Sequence, residues 1–146
     1  MDFETVKADE FGRSLTGLGL NLLVRDVGSL AGFLVDVFGM RAFQVSADFA
    51  ILTYGDQVFQ LHADGTYHAN PLLSLLPESG PRGGGIEIRL YGSDPDRAVK
   101  RAVASIHAAT ILQEPKDKPH GLREAFILCE NGYAWVPGVQ KTSPES

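Results

Sequence analysis

The chain carries a single cysteine, Cys129, among its 146 residues. An intrachain disulfide is thereby excluded, and so is a cysteine-rich zinc cluster. Basic residues are scarce as well: 13 Lys and Arg face 18 Asp and Glu, a net charge of −5. Nucleic acid and anionic membrane surfaces both select basic partners, so neither is expected here. No stretch approaches the roughly 18 apolar residues of a membrane span. The opening MDFETVKADEFGRSL lacks the basic start and apolar core of a signal peptide. Two chemistries are missing too. There is no G-x-S-x-G nucleophile elbow. The glycine run before residue 86 lacks the Lys-Ser/Thr of a phosphate loop and opens a strand, not a helix. What is present, 44% hydrophobic and 21% charged residues, is ordinary globular composition. The expectation is one cytoplasmic domain spanning 1–146.

Hydrophobic periodicity divides that domain into two similar halves. Residues 1–16 are polar and read as an arm or frayed terminus. Residues 18–24 read as a strand. From Asp26 the period changes: Leu30, Phe33, Leu34, Val37 and Phe38 lie on one helical face, with Asp26 or Ser29 as cap and Gly39 as left-handed stop. Three short strands follow, at 41–45, 49–54 and 57–62, the last two joined by the turn Gly55-Asp56. The first module is thus 17–63. Residues 64–85 form a Pro- and Gly-rich connector in which 72–76 predicts one helical turn.

The second module, 86–139, repeats the order. A strand at 86–91 leads to a helix capped by Asp94 or Ser93, with Pro95 at its first position. Its buried stripe is Ala98, Val99, Ala102, Val103 and Ile106, with Arg97, Lys100 and Arg101 outward. A short strand at 111–114, a loop at 115–120 and a hairpin of 123–129 with 133–137 around Asn131-Gly132 complete it. Each half reads βαβββ, an α+β class.

This repeated unit resembles the vicinal oxygen chelate superfamily, which includes glyoxalase I, bleomycin-resistance proteins and extradiol dioxygenases. LNLLVRDVGSLAGFLVDVFGMR is similar to that family's opening strand, V-x-D turn and helix. GLREAFILCENGYAW is similar to its closing hairpin, with Cys129-Glu130-Asn131 where Asp-Pro is usual. The resemblance implies two βαβββ modules in a curved, half-open barrel, a ligand inside it, and a homodimer. Metal-using members carry four His, Glu or Gln ligands. Those positions fall here on Gly19, Gln60, Glu87 and Val136, so the resemblance implies no metal and no other cofactor. His62, two residues past Gln60, is the one substitute ligand.

Strand alternation selects the cavity wall, because residues i and i+2 share a face. Around Gly55-Asp56, Val58 opposes Thr53, Gln60 opposes Ile51 and His62 opposes Phe49. Around Asn131-Gly132, Ala134 opposes Cys129 and Val136 opposes Ile127. The expected ligand-binding set is Asn21, Phe49, Ile51, Gln60, His62, Glu87, Arg89, Tyr91, Arg123 and Val136. Leu52, Phe59, Leu61, Phe126, Leu128 and Trp135 are expected on the core side. Plainer readings stand beside these: a sheet-stabilising ion pair for Glu87 and Arg89, a solvated His68, an exposed His107, a surface loop holding His120 and Arg123, and an inert Cys129. The expected function is binding of a small, partly aromatic organic molecule without metal. The alternative is a metal-dependent or acid/base lyase, isomerase or dioxygenase, in which Glu87 or His62 acts as base or His62, Gln60 and Glu87 hold a metal.

Overall fold

The structure, a computed structural model, describes residues 1–66 and 71–141. It divides into two compact units, Met1–Val35 with Gly39–Leu76, and Asp36–Phe38 with Pro77–Ser146. Each contains a four-stranded mixed sheet, and the class is α+β.

In the first unit the sheet consists of β1 (Asn21–Val24), β2 (Arg41–Phe43), β3 (Phe49–Tyr54) and β4 (Gln57–Ala63), in the order β1-β4-β3-β2. Strand β1 runs parallel to β4, and the other neighbours are antiparallel. The helix α2 (Val27–Phe38) starts where Asp26 accepts a hydrogen bond from the backbone of Ser29, and stops at Gly39 with φ 67°. Its apolar stripe, from Leu30 to Val37, is buried. The two-residue turn at Gly55-Asp56 puts Tyr54 opposite Gln57, so Phe49 faces His62, Ile51 faces Gln60 and Thr53 faces Val58.

The N-terminal segment departs from the expected frayed arm. Residues Ala8–Ser14 form a short helix, α1, and Phe11 on it is buried. Two apolar side chains in this polar stretch, Phe3 and Phe11, meet rings of the first sheet. Phe3 packs on Phe43 with ring centroids 5.6 Å apart, and Phe11 packs edge-on against Phe49 at 6.4 Å.

The second unit holds β5 (Glu87–Tyr91), α3 (Pro95–Ala104), β6 (Ala109–Asp117), β7 (Leu122–Cys129) and β8 (Ala134–Gln140), with sheet order β5-β8-β7-β6. Asp94 caps α3 through the backbone N–H groups of Asp96 and Arg97. Ala98, Val99 and Ala102 are buried as expected, but Val103 is 74% exposed and Ile106 is 93% exposed. The helix ends at Ala104, so Ile106 lies beyond it. Strand β6 is longer than the predicted 111–114 and takes in Pro115. It is an edge strand with two register irregularities, where a missing N–H is tolerated.

The hairpin of β7 and β8 is the main correction. Its loop has three residues, Glu130, Asn131 and Gly132, closed by bonds from Gly132 N to Cys129 O (2.9 Å) and Cys129 N to Tyr133 O (3.2 Å). Gly132 has φ 79°, the left-handed last position of such a loop. The register shifts by one: Leu128, not Cys129, opposes Ala134, and Ile127 opposes Trp135. Because the side-chain period is 2, the face expected for β7 is inverted relative to β8. Trp135 and Ile127 are buried together, whereas Phe126 and Leu128 are half-buried on the opposite face.

One glycine of the connector and one of the hairpin loop permit a close backbone approach. A Cβ at Gly132 would lie 2.4 Å from the Pro81 Cα, and one at Gly83 would lie 2.9 Å from the Tyr133 Cα. Arg82 N donates to the carbonyl of Asn131 at 2.8 Å. The chain therefore lies backbone to backbone against the hairpin loop. The single turn expected within 72–76 is a 3-10 turn, Leu73–Leu75.

Candidate functional site

Each sheet presents one face on which polar side chains interrupt an apolar surface. On the first sheet, parallel pairing sets Asn21 beside Gln60 and Leu23 beside His62. Antiparallel pairing adds Ile51 and Phe49 to the same face. All five expected residues of this half, Asn21, Phe49, Ile51, Gln60 and His62, thus share one surface. The Gln60 side-chain oxygen lies 3.1 Å from His62 Nε2. Phe49 packs against the imidazole in a tilted arrangement, with ring centroids 5.0 Å apart. His62 is buried, and burial pushes its pKa below the ordinary histidine value, so the ring is neutral at pH 7. His68 lies outside the described residues.

On the second sheet, Glu87 pairs with Ala134, Arg89 with Val136 and Tyr91 with Gly138. Glu87, Arg89, Tyr91 and Val136 therefore share a face, as expected. With the corrected register they are joined by Glu124 and not by Arg123, since Glu124 opposes Gly138. Arg89 donates to Glu87 Oε1 at 3.0 Å and, with its other terminal nitrogen, to Glu124 Oε2. Its guanidinium carbon lies 5.7 Å from the centre of the Tyr91 ring. Burial works against the Arg89 charge, but hydrogen bonds and charge from Glu124 and Tyr91 more than offset it, and its pKa is raised. The same Glu124 oxygen lies 3.3 Å from His120 Nε2. Glu124 itself is 3% exposed.

Arg123 stands on the other side of this sheet. It grips Asp96 of α3 with two nitrogens, at 2.7 and 2.9 Å, and Asp117 of β6 at 3.1 Å. The hydrogen bond from Arg123 holds the Asp96 carboxyl below its usual range. This is a brace between strand and helix, and Arg123 leaves the group of polar residues around Arg89. Glu124, which replaces it, was hidden in the sequence by the run AFILC, where apolar residues occupy both faces and alternation gives no register. His107 lies past the end of α3, and Cys129 is buried.

No family model matches the chain, and no curated protein matches it in sequence. Solved structures do match its fold. One is a glyoxalase/bleomycin resistance protein/dioxygenase family enzyme from Burkholderia phytofirmans PsJN, with TM-score 0.70 and 20% identity over 84% of this chain and 96% of that one. The fold is the glyoxalase/bleomycin resistance/dioxygenase fold. A glyoxalase-related enzyme from Fulvimarina pelagi is similar at TM-score 0.67 and 15% identity, over 90% of this chain and 94% of that one. The fosfomycin resistance protein FosX from Mesorhizobium loti is similar at TM-score 0.59 and 15% identity, over 87% and 94%.

A glyoxalase-like fold raises the question of a metal, and these residues do not fit one. Gly19 and Val136 offer no donor side chain. The Gln60 oxygen is engaged by His62, and the Glu87 carboxylate by the positive Arg89. Among the described residues, no three His, Cys, Asp or Glu side chains converge on a point where an ion could sit. Among the same residues, no helix is long and apolar enough to cross a membrane.

Proposed function

We propose that this protein binds a small, partly aromatic organic molecule on the polar-centred face of the second sheet, without a metal. One observation carries the reading: the Arg89 guanidinium, held between Glu87 and Glu124, lies in a sheet face otherwise made of Tyr91, Phe126, Leu128 and Val136. An apolar wall with a few fixed polar groups is the composition of a small-molecule site. Glu87 is half-exposed and within reach of a ligand, whereas Glu124 is sequestered. Two carboxylates outnumber one guanidinium, so the face suits a ligand bearing a hydroxyl or amino donor. A homodimer is the proposed assembly, because β2 and β6 end their sheets as unpaired edges.

The test is elemental analysis of untagged protein, followed by native mass spectrometry for retained compounds. No stoichiometric transition metal and a retained small molecule are expected, with a dimer mass. Glu87→Gln should weaken the retained ligand by about 1.5–3 kcal/mol, the worth of a charged hydrogen bond. Near-unit zinc, iron, manganese or nickel per chain, lost in His62→Ala, would overturn the metal-free reading.

The pair His120 and Glu124 favours a second reading, an acid/base lyase or isomerase. A buried carboxylate on Nε2 orients the imidazole and leaves Nδ1 as the base, as catalytic histidines are held elsewhere. His120→Asn would then abolish turnover of the retained compound while leaving its binding intact.

A further inference from the structure

We infer that the first sheet's polar-centred face is an aromatic-ring site which the chain fills with its own Phe3 and Phe11, and that residues 1–14 are a displaceable strap over it. The inference rests on the small-molecule reading above and concerns the other sheet. Phe3 lies on Phe43, Phe11 on Phe49, and Phe49 on His62, a continuous run of ring contacts from the strap to the buried histidine. Phe43 and Phe49 flank Ile51 on the face that also carries Gln60 and Asn21. The strap fills this face incompletely. A hollow of about 290 Å³, open to solvent, remains at its Gly55 end among Met1, Asp2, Phe3, Arg41, Phe43, Thr53 and Gly55.

The strap is held by a clasp, not by a continuous core. The Gln44 side-chain amide donates to the carbonyls of Phe3 (2.8 Å) and Val6 (3.0 Å), and its backbone N–H donates to the Glu4 carboxylate (3.1 Å). Gln44 has φ 51°, the one positive-φ residue other than glycine among the described residues. A side chain in that region is strained, and such strain collects where a structure must hold or release something. Apart from Phe11, the strap's side chains are exposed or half-buried, so few contacts besides these three bonds and two rings are lost when it lifts. An incoming planar aromatic would exchange ring contact for ring contact.

The experiment uses indole as probe and amide chemical-shift mapping on three chains: wild type, Phe3→Ala/Phe11→Ala and Gln44→Gly. Glycine adopts φ 51° without strain, so Gln44→Gly removes the two side-chain bonds of the clasp and keeps the backbone bond to Glu4 and both rings. Indole should shift the amides of Phe49, Ile51 and His62 in both variants at about tenfold lower concentration than in wild type, since a mostly closed strap lowers apparent affinity by its open fraction. In wild type, saturating indole should collapse the amide shifts of residues 3–11 toward unstructured values. Equal affinity in all three chains, or shifts confined to other residues, would show a fixed cap and overturn the inference. If the double variant does not fold, Gln44→Gly alone decides. A compound retained on the Arg89 face of all three chains, with no indole effect at Phe49, would sink the strap and leave the functional reading standing. Binding of neither kind would sink both.

Discussion

Arg89 on β5 and Glu124 on β7 meet across the intervening strand β8, where Gly138 adds no side chain to their face. The pair anchors the polar centre of the second sheet. Glu124 is nearly sealed from solvent and also meets His120, whereas Glu87, on the other side of Arg89, is half-exposed. The two carboxylates therefore differ in what they do for the fold, although both bind one guanidinium.

Replacing Glu124 with Gln should cost about 2 kcal/mol or more, because it strips a half-buried guanidinium of its buried partner. Glu87→Gln should cost less than about 1 kcal/mol, the usual worth of a partly solvated pair. Urea denaturation of both variants and of the double variant measures the difference. Equal costs would mean that burial does not separate the two carboxylates.

Gly132→Ala should be among the most damaging single-methyl changes in the chain. The new Cβ would sit 2.4 Å from Pro81 Cα, at a backbone φ of 79°. Left-handed strain and the displaced connector together predict a loss of about 2–4 kcal/mol. Gly84→Ala, in the same glycine run but with open space around its Cβ, should be close to neutral. Thermal melts of the two proteins check the contrast.

His62 makes stability depend on mild acid. Its folded pKa lies below the ordinary 6.5 because burial disfavours the charge, so the unfolded chain binds the extra proton first. The stabilisation is complete above about pH 6.5 and is lost as pH falls from there through the lowered folded value. His62→Gln should flatten the decline in melting temperature between pH 7 and pH 5. His107 and His120 are common to both proteins, so the difference reports His62. Parallel pH profiles would show that His62 is not protected in the folded state.

Arg123→Ala should lower the melting temperature and leave ligand affinity unchanged. Its contacts are the brace to Asp96 and Asp117, on the side of the sheet away from Arg89. A selective loss of binding in a chain that melts normally would return Arg123 to the ligand site.

Much of this molecule was legible in its sequence where chemistry is local. Asp26 and Gly39 bound α2, Asp94 and Pro95 open α3, and Gly55 sets a two-residue turn whose pairing puts Phe49, Ile51, Gln60 and His62 on their observed face. Each of these signals acts within a few residues, through a cap, a positive φ or a period. The sequence alone also determined the repeated βαβββ order, because a change of period marks each strand-to-helix boundary.

Only the tertiary structure decided the rest. In β7, apolar residues on both faces leave the register open, and a three-residue loop, not the two-residue turn that Asn131-Gly132 suggests, exchanged Arg123 for Glu124 beside Arg89. Gly83 of the connector and Gly132 of the hairpin acquire their reason only where Pro81 and Gly83 lie against Gly132 and Tyr133, some 50 residues on. The N-terminal segment is polar when read by itself. Its two phenylalanines become buried or half-buried because Phe43 and Phe49, far along the chain, present rings to receive them. Contacts at long sequence separation are set by the packing of whole elements, and no local pattern encodes them.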